Sequence, residues 1–183
     1  MKISDTRLRK EVTIVNTVST AELKQDVAIE SFNEYEHLES NLALYLCGYV
    51  KDQTMVGRVT IFGNGKMISV GTKSPEQSFK ELRRAMKLLR EYGLAKGKRL
   101  SPLVRNIVAK TDFQKPLDIE KLARRLPKSL YEPEQFPGII YRIRGSVVSL
   151  IFASGKCVIV GSKSYEDLNS AYFDVRESCH IEY

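Results

Sequence analysis

The sequence predicts an α+β protein whose chain is built twice from one plan, and three observations predict it. A fifteen-residue block, Thr60–Ser74 (TIFGNGKMISVGTKS), returns 90 residues later as Leu150–Ser164 (LIFASGKCVIVGSKS), with eight identities and no gap. A second block keeps the offset, Ile14–Val18 (IVNTV) against Val104–Val108 (VRNIV), so the repetition divides the chain into residues 1–98 and 99–183. In each half, apolar strands flank a glycine turn and a capped amphipathic helix follows.

The first half opens with a strand around Ile14–Val18, then a stunted helical stretch near Val27–Phe32. Phe62-Gly63-Asn64-Gly65-Lys66 reads as a hairpin turn, because glycine supplies the dihedral freedom a tight turn requires. Ser74-Pro75-Glu76-Gln77 then supplies an N-cap, a proline at the first helical position and a glutamine three residues after the cap. Phe79, Leu82, Met86 and Leu89 recur at helical spacing up to the stop signal Gly93, leaving Lys80, Arg83, Arg84, Lys87 and Arg90 to water.

In the second half, Leu117–Leu126 reads as a helix with Ile119, Leu122, Ala123 and Leu126 apolar, ended by Pro127. Phe152-Ala153-Ser154-Gly155-Lys156 is the matching turn, and a last helix starts at Ser164 with Leu168, Ala171, Tyr172 and Val175 inside. Val147–Phe152 and Cys157–Val160 are apolar at nearly every position, whereas a sheet wet on one side should alternate. If helices cover one face of these strands, the other is an apolar surface that must meet a partner.

With 183 residues, 43% apolar and 28% charged, the chain is globular material for one or two domains, and disorder is excluded as its main state. No apolar run approaches a membrane span and the start lacks a secretory pattern, so a soluble intracellular protein is expected. The net charge of +7 suits a polyanionic partner. Cys47, Cys157 and Cys179 are too far apart for a zinc knuckle or redox pair, and His37 and His180 stand alone, so neither a metal nor a cofactor is expected. Without a phosphate loop, metal cluster or nucleophile–histidine–acid grouping, an enzyme is not expected either.

The segments Asn106–Val108, Tyr131–Arg142 (YEPEQFPGIIYR) and Leu150–Lys156 (LIFASGK), with their imperfect upstream copy, resemble the TATA-box-binding protein family, particularly its archaeal members, over residues 12–178. The resemblance implies a saddle: a curved antiparallel ten-stranded sheet of two pseudo-symmetric repeats, helices on the convex face, DNA on the concave one. It implies DNA-facing roles for Asn16, Val18, Thr60, Phe62, Ile68 and Val70, and for Asn106, Val108, Leu150, Phe152, Val158 and Val160. An A·T minor groove offers only acceptors, which asparagine amides can satisfy, while apolar side chains pack where guanine's amino group would intrude. Lys66, Lys73, Lys156, Lys163 and Arg142 would lie near phosphates.

Departures from the family pattern point to a divergent paralogue. The second half keeps two wedge phenylalanines, Phe136 and Phe152, but the first keeps only Phe62, with Ser40 aligned to the missing one. Leu46 aligns with Arg142, Val70 and Val160 stand where threonines are usual, and Cys47–Arg58 reads as a loop about six residues longer than its twin. The resemblance places Glu132, Glu134 and Gln135 in a loop that receives transcription factor B, and through it RNA polymerase. It implies a nucleoid-associated cytoplasmic location in an archaeon and a nuclear one in a eukaryote. Two readings stay open: an initiation factor that binds and bends A/T-rich promoter DNA, or an interaction protein with weak DNA binding that acts through factor B. Pairing of the free protein as a homodimer through its apolar underside is likewise left open.

Overall fold

Ten strands and three helices, with one 3-10 helix, make up the described residues of the computed structural model, which are 11–97 and 99–180. Lys98, at the expected boundary between the halves, and the first ten residues lie outside them. The described residues divide into two compact units, the first within 16–105 and the second made of 11–15 with 106–180. No helix among the described residues is long and apolar enough to cross a membrane.

The first unit carries β1 (Val12–Glu22) from Asn16 onward, a 3-10 helix (Ile29–Glu34), β2 (Leu38–Ser40), β3 (Cys47–Val50), β4 (Arg58–Phe62), β5 (Lys66–Thr72) and α1 (Pro75–Glu91). Its strands run in the order β2-β3-β4-β5-β1, each recorded neighbour antiparallel. The second unit carries β6 (Leu103–Asp112) from Asn106 onward, α2 (Ile119–Arg125), β7 (Ser129–Leu130), β8 (Gly138–Arg144), β9 (Val147–Phe152), β10 (Lys156–Ser162) and α3 (Tyr165–Ser178). Its order, β6-β10-β9-β8-β7, again has antiparallel neighbours. The molecule is therefore α+β, with hairpin-connected strands and helices that cover one face in each unit.

Local chemistry accounts for the long helices. The Ser74 side chain accepts from Gln77 N at 3.1 Å and Ser164 from Asp167 N at 3.1 Å, satisfying otherwise orphaned first-turn donors. In return, Gln77 and Asp167 accept from the backbone N–H of Lys73 and Lys163, which fixes the chain entering each helix. Leu126, the C-cap of α2, is extended (φ −74°, ψ 120°), as the following Pro127 requires.

Leu82, Ala85, Leu88 and Leu89 of α1 pack with Val59, Ile61, Met67 and Phe32 in the first core. The Phe32 ring lies so close to β3 that a Cβ on Gly48 would meet it at 2.3 Å, so only glycine fits there. Leu168, Ala171, Tyr172 and Val175 of α3 are buried as the periodicity predicts, together with Ile107, Ile139, Ile151 and Ile159 of the second unit's strands. Each buried valine, leucine, isoleucine, methionine or phenylalanine among them contributes about 1.5–3 kcal/mol. In α1, Phe79 is only half-buried and Glu81 takes an inward position instead.

Candidate nucleic-acid interface

Strand residues alternate between fully buried and half-exposed, and the half-exposed set is the face that no helix of the same unit covers. In β4 and β5, Val59, Ile61, Met67 and Ser69 are buried, while Thr60, Phe62, Ile68 and Val70 are half-exposed. In β9 and β10, Ile151, Cys157 and Ile159 are buried, while Leu150, Phe152, Val158 and Val160 are half-exposed. Val18 and Val108 follow the same rule in β1 and β6. The apolar character of both positions in each pair explains the unbroken apolar runs in the sequence.

Register ties these residues into rows. In the first unit, Thr20, Ile68, Thr60 and Tyr49 stand opposite one another in successive strands. The second unit's row is Lys110, Val158, Leu150, Ile140 and Leu130. A neighbouring row pairs Arg58 with Val70 in the first unit, and Arg142, Val148 and Val160 in the second. Tyr49, Arg58, Ile140 and Val148 thus join the face, although sequence reading missed them; alternation with the buried Val50, Val59, Tyr141 and Ser149 would have found them.

Asn16 and Asn106 are held alike. Asn16 Oδ1 accepts from Gly71 N at 2.9 Å and Asn106 Oδ1 from Gly161 N at 2.8 Å. A backbone N–H can only donate, so the atom facing it is the amide oxygen and both Nδ2 groups remain as donors. Gly71 and Gly161 can present their N–H this way because register shifts interrupt β1–β5 and β10–β6 beside them, with φ +90° and +94°. A Cβ on Gly161 would meet Ser146 O at 2.0 Å.

Three expectations for the first unit need correction. Phe136 and Phe152 form an edge-on pair with ring centroids 5.7 Å apart. The register sets Cys47 opposite Phe62 as Gly138 stands opposite Phe152, so Tyr45 corresponds to Phe136 and Ser40 to Tyr131. Identical turns agree: Leu44 N and Tyr45 N donate to Asn41 O, and Gln135 N and Phe136 N to Glu132 O. Lys51, not Leu46, matches Arg142, since Lys51 N donates to His37 O as Arg142 N does to Lys128 O. Cys47–Arg58 matches Gly138–Val148, so the twin segments differ by one residue rather than six.

Lys66, Lys73, Lys156, Lys163 and Arg142 are exposed and form no ion pair with another described residue. Glu132, Glu134 and Gln135 are exposed on the β7–β8 loop. The matching first-unit loop, Asn41–Leu46, is apolar instead, with Leu44, Tyr45 and Leu46 exposed. A cavity of about 860 Å³ bordered by Phe152, Lys156 and Val158 also reaches the buried Tyr172, whose hydroxyl donates to Glu11 at 2.6 Å. The three cysteines are buried, and burial pushes the Cys157 thiol up to about 12 and Cys179 to about 11, so neither is a thiolate at neutral pH.

The family model described as "Transcription factor TFIID (or TATA-binding protein, TBP)" matches the chain twice, over residues 11–92 and 101–177. The TATA-box-binding protein of Cenarchaeum symbiosum is 41% identical over 173 residues, covering 93% of this chain and 94% of its own. That of Methanothermobacter thermautotrophicus is 33% identical over 159 residues, covering 86% and 88%. Among solved structures, Methanococcus jannaschii TBP aligns with 93% of this chain and 98% of its own at a TM-score of 0.82 and 29% identity.

Proposed function

The chain belongs to the TATA-box-binding protein family of transcription factors, and on that premise we propose that it binds and bends A/T-rich promoter DNA through the minor groove and recruits transcription factor B, and RNA polymerase through it. The observation that carries this reading is the matched pair of asparagines. Each has its amide oxygen occupied by a bulge N–H, so each offers a donor on a half-exposed apolar face. An A·T minor groove presents acceptors alone, and a donor set among apolar side chains selects it over G·C.

The aromatic side chains supply the bending. Phe136 and Phe152 in one unit, Phe62 and Tyr45 in the other, are wedges for base steps. Unstacking costs a few kcal/mol per step, a figure known for minor-groove binders, this family included, and it is offset by the contact that bent DNA permits. The unpaired lysines and Arg142 neutralise phosphates along the edges. Glu132, Glu134 and Gln135, exposed on the β7–β8 loop, suit a basic surface on factor B.

The rival reading, an interaction protein with weak DNA binding, rests on Thr60 and on a wedge and a rim arginine that Ser40 and Leu46 would have replaced in the first half. Tyr45 and Lys51 fill those places, which favours direct DNA binding. A band-shift series on A/T-rich and G/C-rich duplexes, with and without factor B, tests the two. A shift by the protein alone with A/T preference supports the main reading, and a shift only after factor B is added supports the rival. Glu134→Arg should spare the binary shift and abolish the ternary one; loss of binary binding would remove Glu134 from the factor B site.

A further inference from the structure

The half-exposed faces of the two units are chemically unequal at one register position. Arg58 stands opposite Val70 in β4–β5, where the second unit sets Val148 opposite Val160. Arg58 shares its strand face with Thr60 and Phe62, and not with the buried Val59 and Ile61. Its guanidinium carbon lies 4.5 Å from the centroid of the Tyr49 ring, in the place where the twin carries Ile140. Among the described residues, no carboxylate pairs with it. An arginine held over an aromatic ring retains its fork of donors and loses little freedom when they are used. No requirement of the fold explains the residue, since Val148 serves the same backbone position.

The geometry points to Arg58 as a groove-directed cation that reads base-edge acceptors under the first unit and thereby sets which way round the protein lies on DNA. This rests on the minor-groove reading above and adds to it a difference between the halves. A cation on the face is drawn to the negative potential of A·T minor grooves and meets only donors at guanine N2. Val148, at the same position in the second unit, offers no such attraction. On a duplex whose two half-sites differ by one G·C pair, the first unit therefore takes the uninterrupted A·T half.

Orientation can be read by a cleavage reagent tethered to a cysteine introduced at Asn64, an exposed turn position, because the native cysteines are buried and stay unlabelled. The expected result is cutting biased about fivefold or more toward one end, the order of a single good base contact. Arg58→Val, which installs the twin's residue, should bring the two ends to parity, and Val148→Arg should do so from the other side. Matching urea midpoints show that the variants fold. A bias that survives Arg58→Val overturns the proposal. So does an equal loss of affinity on every duplex with a salt slope lower by about one, which marks a phosphate contact instead. Failure of the unsubstituted protein to bind any duplex would overturn the minor-groove reading itself, and this proposal with it.

Discussion

Asn106 shows how one side chain can be both anchored and available. Its oxygen is used inside the fold and its nitrogen is left over, so Asn106→Ala should lower A/T-duplex affinity by about 1–3 kcal/mol in an anisotropy titration. Asn106→Asp should do worse, since a carboxylate offers the groove no donor; unchanged affinity in either variant would take Asn106 out of the interface. The glycines that anchor the two amides differ in how tightly they are enclosed. At Gly161 an added methyl would suffer both positive φ and a 2.0 Å approach to Ser146 O, whereas at Gly71 the nearest atom is 3.2 Å away. Gly71→Ala should therefore cost about 1–2 kcal/mol, the strain of a left-handed residue, and Gly161→Ala clearly more. Equal urea midpoints for the two variants would contradict this. The two asparagines were legible in the sequence because the repeated block aligns them without a gap. Their hydrogen bonds were not, since a bulge that aims a glycine N–H at a side chain leaves no periodic trace.

At the scale of elements, helices, caps and hairpin turns could be read ahead of the structure because each is written in local chemistry: Ser74 and Ser164 as caps, Gly65 and Gly155 as positive-φ turn residues. The β2–β3 loop could not. Its residues 41–46 (NLALYL) share nothing with 132–137 (EPEQFP), so no identity pinned the alignment, and only the register revealed Tyr45 and Lys51. The connection after β3 is clasped to α1 by two carboxylates. Glu81 accepts from Val56 N at 2.9 Å and Gly57 N at 3.0 Å, and Asp52 takes Arg84. Burial acts to raise the Asp52 pKa, but hydrogen bonds from Thr54 and Arg84 outweigh it and hold the carboxyl below its ordinary value. A depressed carboxylate stabilises the fold in full above its unfolded pKa, about 3.9, and progressively less as pH falls through the folded value. Asp52→Asn should thus lower stability at pH 7 and flatten the decline between pH 5 and pH 3. Urea midpoints falling in parallel for both proteins would remove Asp52 from that role.

For the whole molecule, the proposed reading assigns affinity to charge and selectivity to the strand faces. Each unpaired rim lysine that meets a phosphate displaces counterions, so Lys66→Gln and Lys156→Gln should each reduce the slope of log K against log salt by about one while leaving A/T preference intact. A preference that shifts with the slope would mean these lysines reach the bases. Sequence repetition revealed that the halves are related, but not how far they have parted, because the differences lie in which residues face each other. The clasps show it best. In the first unit the helix brings Arg84 to Asp52, and in the second Arg144 reaches Asp167 and Asp174 of the helix, with Arg84 and Asp174 at equivalent positions. The polarity is reversed between siblings. A helix docked on the wrong half would set arginine against arginine or aspartate against aspartate, a like-charge contact that works against confusion between two look-alike halves as they fold.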